Sequence, residues 1–216
     1  MGAIVTASCA ALGLAAGAPL GAMAARAARD RDGPHGAALR TVVPVATGVA
    51  FALTAARFGT SWTLPGELAF VGALVALAAS DIETYLLPVR ILYPAAALTA
   101  AGLALAAGVT SRWGRFGVAL ACGIGAASLL FAIHAFRREW MGFGDVRLAG
   151  LVGLGLGWVS PLDVLVGLVL ANLAGTLVGV ALMAAGRAGW RTRLPYGAFL
   201  ALGAIAALVV PVGAGL

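Results

Sequence analysis

The sequence predicts an all-α fold, a polytopic transmembrane helical bundle of about eight spans, and three observations point there. Apolar residues make up 62% of the 216-residue chain, charged residues only 10%, and the mean hydropathy is +1.03. A soluble domain carries roughly 45–50% apolar and about 25% charged residues. Uncharged apolar stretches long enough to cross about 30 Å of hydrocarbon at 1.5 Å per residue recur along the whole chain. All fourteen basic residues are arginine, and they alternate with those stretches instead of clustering, which excludes a nucleic-acid-binding face despite the net charge of +6. Two cysteines, Cys9 and Cys122, with no CxxC pair, exclude a disulfide scaffold and read as small apolar residues.

The expected spans run over 3–25, 41–56, 64–80, 91–109, 116–136, 146–159, 162–185 and 194–212. The first lacks the basic residues that precede a signal sequence's apolar run and reads as a membrane helix. The sixth is too short to cross unaided and is expected to tilt, to thin the bilayer, or to form a re-entrant pair with the seventh at Ser160-Pro161. Eleven arginines fall in the odd-numbered connections and only Arg57, Arg112 and Arg115 in the even-numbered ones, so the odd connections are expected in the cytoplasm and both termini outside. The arginines read mainly as topological anchors. Small residues such as Gly175-x-x-x-Gly179 serve close helix packing, and Asn172 an interhelical hydrogen bond. The chain reads as one integral membrane domain over 1–216, with divergent N-terminal spans over 1–63 and a core over 64–216.

No soluble domain fits between the spans, so chemistry has to sit at the membrane edge. Of the eight acidic residues, Asp30, Asp32, Glu67 and Asp163 read as solvated or capping groups. Glu83 and Glu139, in cytoplasmic connections, are surface charges or substrate contacts. Asp81 and Asp145 stand apart: one ends the third span and the other opens the sixth, so both lie at the cytoplasmic edge although 64 positions separate them. Ionisable groups at membrane depth mark functional sites by default. Two carboxylates in one partly dehydrated cleft cannot both ionise easily, which divides them into a base that activates water and an acid that protonates a peptide carbonyl. Asp145 is favourably placed at a helix start, whereas Asp81 sits at a helix end, against the dipole. Gly142 and Gly144 leave the backbone free to depart from the helix and a substrate strand free to approach, and Pro88 restarts a helix after the loop. His134 reads as a packed or interfacial histidine.

Asp81-x6-Pro88, Gly142-x-Gly144-Asp145-x-Arg147-Leu148 and Leu194-Pro195-Tyr196-Gly197 together resemble the prepilin peptidases, the type IV leader peptidases among the GxGD aspartic membrane proteases. The resemblance runs from Leu64 onward. It implies an eight-span fold in the bacterial inner membrane, catalytic roles for Asp81 and Asp145, and cleavage at the cytoplasmic face of the basic leader of prepilin or pseudopilin precursors. Gly142, Gly144, Arg147, Pro88, Pro195, Tyr196 and Gly197 are its accompanying motif residues. Ala198 stands where the family commonly has a second proline, and Gly21 replaces an asparagine of the segment that keeps Gly17 and Arg26. A short basic connection replaces the zinc-binding insert with paired CxxC motifs. The resemblance implies proteolysis without metal or cofactor, and S-adenosylmethionine only for an N-methylation found mainly in longer members. The implied partners are the precursor proteins and membrane lipid, with no nucleic acid. A small proton- or cation-coupled transporter, or an inactive scaffold of a pilus or secretion system, are the competing readings. The aspartates lie at one edge, not at the midplane where transporter sites concentrate.

Overall fold

The computed structural model describes residues 2–29, 36–136, 142–187, 189, 192 and 194–210, and the described elements are eight α-helices. They are α1 (Gly2–Arg29), α2 (Gly36–Phe58), α3 (Leu64–Thr84), α4 (Val89–Thr110), α5 (Trp113–Phe136), α6 (Phe143–Val159), α7 (Pro161–Ala184) and α8 (Tyr196–Val209). In hydrocarbon each segment has to satisfy its own backbone groups, and an apolar chain without water does so as helix. Pro19, Pro44 and Pro94 are accommodated inside α1, α2 and α4.

Six of the helices are long and apolar enough to cross a membrane. The sixth, with 17 residues, is short as the sequence predicts, and Ser160 caps α7 immediately after it, its hydroxyl accepting the Leu162 N–H at 3.2 Å. The eighth is shorter than predicted. It covers 14 residues and ends at Val209, with Val210 in extended conformation, instead of reaching 212.

Sequential helices pair as hairpins, α1 with α2, α5 with α6 and α7 with α8, and α3 runs between them, touching α1, α2, α4, α6 and α8. Of α3's apolar span 72% is buried, against 17% for α5, so α3 is the axis and α5 faces outward. Phe70, Leu74 and Leu77 of α3 meet Leu148 and Leu156 of α6 and Leu200 and Leu208 of α8 in one apolar core. Where no hydrophobic drive brings helices together, small residues let backbones touch. A Cβ at Gly17 would fall 2.5 Å from the Pro44 Cα, so α1 lies directly on α2. Gly175 receives the Phe199 ring and Gly179 the Leu194 side chain, which seats α8 on α7 as the GxxxG spacing predicts. Cys9 is buried and Cys122 packs on Gly157, as small apolar residues would.

Two acids read as solvated or capping groups lie in first turns but are buried, and Arg57 turns in towards one of them. Glu67 is 0% and Asp163 1% exposed, and the Arg57 guanidinium turns inward to within 3.8 Å of an Asp163 carboxylate oxygen. Each lies in the terminal turn of a helix, where sequence position alone suggests solvent. The packing of α2, α3, α7 and α8 closes over them. Asp30 and Asp32 lie outside the described residues.

Candidate active site

Asp81 does not end its helix. α3 continues a further turn to Thr84, so Asp81 sits inside the last turn, 5% exposed, and its carbonyl accepts the N–H of the capping residue Tyr85 at 2.8 Å. Tyr85 adopts φ 54°, in the left-handed region, and stops the helix there. The Ser80 hydroxyl donates to the Leu86 carbonyl at 3.2 Å and the Thr84 hydroxyl to the Ser80 carbonyl at 2.8 Å, which fixes the short connection. Pro88, with φ −65°, then starts α4, as the sequence predicts.

Asp145 occupies the third position of α6 and is 8% exposed. Its Oδ2 accepts the Gly142 N–H at 3.2 Å, a carboxylate closing its own helix start. The backbone leaves the helix at Gly142, as the sequence predicts, without needing glycine's freedom there. Gly142 has φ −70° and ψ 148°, an extended conformation open to any residue. Gly144 is already helical, and its missing side chain leaves room for a neighbour: a Cβ there would lie 3.1 Å from the Leu87 Cβ.

The unfavourable position of Asp81 against its own helix dipole is answered by a different helix. α8 starts at Tyr196, with Pro195 as its cap, and the Ala198 N–H in its first turn donates to the Asp81 Oδ2 at 3.0 Å across 117 residues of sequence. Helix N-termini present free N–H groups and positive potential, so each aspartate receives one, Asp145 from α6 and Asp81 from α8. Gly197 is what allows this approach, since a Cβ there would fall 3.0 Å from that same carboxylate oxygen. The two carboxylates are close enough for Asp145 to feel the charge of Asp81. Two acids from the ends of α3 and α6, held by backbone donors and otherwise walled by apolar residues, can exchange protons with a water molecule and a polarised carbonyl.

Leu87 is the residue that sequence reasoning missed. It projects from the α3–α4 connection between Gly144 and Gly197, touching the position of either side chain, and so spaces α6 from α8 beside the acids. An apolar residue before a proline gives no signal of that role. Arg147 lies over the Phe143 ring at 4.6 Å and the Tyr93 ring at 5.6 Å, linking α6 to α4. The Tyr196 hydroxyl meets the Asn172 side chain, whose Nδ2 also donates to the Leu168 carbonyl at 2.8 Å. His134 packs its ring on Phe143 with centroids 5.6 Å apart. Glu83, predicted in a loop, belongs to the last turn of α3 and is half-buried. Residues two apart do not share a helix face, so Glu83 turns away from Asp81. Glu139 lies outside the described residues. Among the described residues no three His, Cys, Asp or Glu side chains converge to hold a metal ion.

The sequence model of the Type IV leader peptidase family matches residues 68–184, more than half of the chain and both aspartates. The chain belongs to that family. Its curated relatives include a protein of Burkholderia pseudomallei strain 1026b named prepilin leader peptidase/N-methyltransferase, 31% identical over 175 residues, which are 77% of this chain and 53% of the relative. Proteins of the same name from Myxococcus xanthus and Bacillus subtilis are 33% and 31% identical, covering 70% and 74% of this chain and 44% and 62% of theirs. The chain spans about half the length of the curated relatives it matches. No solved structure matches it. The family match stops before α8, so the Pro195-Tyr196-Gly197 turn enters through its contact with Asp81.

Proline at position 198 tests that contact. It suits the first turn of a helix but has no N–H to give. Ala198→Pro is expected to lower stability by about 1.5–3 kcal/mol, the worth of a hydrogen bond to a charged group, in thermal unfolding of the detergent-solubilised protein. In an Asp81→Asn background the loss should be smaller, and equal losses would show that the bond contributes nothing.

Proposed function

We propose that this family member is an aspartic endopeptidase that removes the basic leader of type IV prepilin-like precursors at the cytoplasmic face of the bacterial inner membrane. The observation that carries the reading is the pairing of Asp81 with Asp145, from helices distant in sequence, at one end of the bundle with a backbone donor on each. One carboxylate takes a proton from water as the water oxygen attacks the scissile carbonyl carbon. The other gives its proton to the carbonyl oxygen. Collapse of the tetrahedral intermediate breaks the C–N bond and the departing amine takes up a proton, with no covalent enzyme intermediate. No metal or cofactor enters these steps. Methyl transfer from S-adenosylmethionine is not part of this reading.

The cytoplasmic assignment rests on the arginine partition. Single cysteines placed between residues 26 and 40, or between 187 and 193, are expected to resist an impermeant thiol reagent in intact cells and to react in opened ones. Reaction from outside would put the aspartates on the opposite face.

The family match and that orientation together support the substrate reading. A precursor whose apolar helix is already in the bilayer presents its cut site just inside, where topology holds a basic leader. Glu83 and Glu139 are the acidic groups nearest in sequence to attract that leader, for modest energy when solvated. A small residue before the bond lets its carbonyl reach acids that Leu87 and the α8 turn crowd. The purified protein in detergent is expected to cleave a precursor with glycine before the bond and to spare one with a bulky residue there. Equal cleavage of both, or cleavage only within the apolar helix, would make it a general intramembrane protease.

A further inference from the structure

At the end of the bundle opposite the aspartates, Arg57 of α2 is surrounded by acceptors. Its Nη2 lies 3.8 Å from the Asp163 Oδ2 at the start of α7, its Nη1 donates to the Ala207 carbonyl of α8 at 3.4 Å, and its guanidinium lies over the Phe58 ring at 5.4 Å. Glu67, in the first turn of α3, faces the same guanidinium electrostatically but is not bonded to it. Glu67 is fully buried, and both its carboxylate oxygens lack a hydrogen-bond partner among the described residues. The Thr99 hydroxyl of α4, one turn before Leu103 on the face of α4 that packs against Gly66, is another buried oxygen without a hydrogen-bond partner among the described residues.

Charge counting makes this arrangement incomplete. Two carboxylates stand near one guanidinium, and the Glu67 oxygens meet no hydrogen-bond donor among the described residues where neither acid reaches solvent. A buried carboxylate needs both a counter-charge and hydrogen bonds. Arg57 points its terminal nitrogens at Asp163 and Ala207, and no hydrogen bond joins it to Glu67. Arg57 from α2 is the charged group facing Glu67, and Asp163 from α7 faces that guanidinium in turn. From α8 comes the uncharged Ala207 carbonyl, on the Arg57 guanidinium.

We propose that the buried Glu67 carboxylate binds one small monovalent cation, a proton or Na⁺, which completes the charge balance at this end of α2, α3, α7 and α8. A proton would turn Glu67 into a neutral acid able to donate to a neighbouring acceptor. A sodium ion would sit on its oxygens. Either source leaves Arg57 on Asp163, and without it Glu67 competes for Arg57 and loosens α7 from α2.

The test uses the purified protein in detergent, with no substrate. Infrared spectra in the carboxylic-acid C=O region and thermal unfolding at constant ionic strength, NaCl against choline chloride, are compared for the wild type, Glu67→Gln and Asp163→Asn. If the cation is a proton, the wild type has an acid C=O band that Glu67→Gln loses, and sodium leaves the unfolding temperature unchanged. If it is Na⁺, sodium raises the wild-type unfolding temperature and leaves that of Glu67→Gln where it was. Asp163→Asn, which removes the acid that holds Arg57 and so frees the guanidinium for Glu67, loses either response and serves if Glu67→Gln does not fold. Identical acid bands and identical sodium responses in the wild type and the folded variants would overturn the proposal.

Discussion

Asp81→Asn and Asp145→Asn are each expected to reduce leader cleavage by roughly 10²–10⁴-fold, the range that a positioned acid or base supplies, while the protein still inserts and folds. Asparagine keeps the shape of the side chain and can still accept the Ala198 or Gly142 N–H through its amide oxygen, so the helices have no reason to part. What is lost is proton exchange. Because both carboxyls act on one water and one carbonyl, the double variant should be scarcely slower than either single one. Single-turnover cleavage of a purified precursor checks this. A single variant that keeps most of the wild-type rate would remove the paired-acid mechanism.

Gly203→Ala is expected to give a large loss of stability, about 1–3 kcal/mol as overpacking of a tight contact typically costs. A Cβ at Gly203 would fall 2.5 Å from the Gly167 carbonyl oxygen and 2.7 Å from the Ala171 nitrogen, both backbone atoms of α7, so relief requires the α7–α8 hairpin to open. Gly125, on the outer face of α5, has nothing within 4 Å of such a Cβ. Gly125→Ala should therefore be neutral or stabilising by up to about 1 kcal/mol through helix propensity alone. Unfolding of the two variants in the same detergent checks the difference in sign, and equal effects would mean that helix contact does not set the bundle's stability.

The helices were legible in the sequence because hydrocarbon imposes one rule on every segment, and charge marks where that rule stops applying. Asp81 and Asp145 were legible because a carboxylate near membrane depth is costly enough to stand out in a chain with eight acids. What held Asp81 in place was not. The donor is a backbone N–H of Ala198, and every residue but proline carries one, so no residue type announces it. The sequence does show an alanine where the family commonly has proline, and the bond explains what that exchange supplies. Leu87 was hidden among many apolar residues. Glu67, Asp163 and Arg57 misled for the opposite reason. Being charged and near helix ends, the acids read as solvated or capping and Arg57 as an anchor, and only the lateral packing of helices, which pattern along one chain does not report, turns them towards one another.

The donor to Asp81 also has a consequence for the order in which the protein is made. α8 follows the other seven helices in the chain, so a ribosome releases Ala198 long after Asp81 has entered the membrane. Until then Asp81 stands in the last turn of α3 with its side chain unsupported and the gap beside Leu87 unfilled. A chain halted after α7 carries both acids yet lacks the element that aims one of them. On the proposed mechanism, the support that this chain gives Asp81 is complete only once α8 is in place.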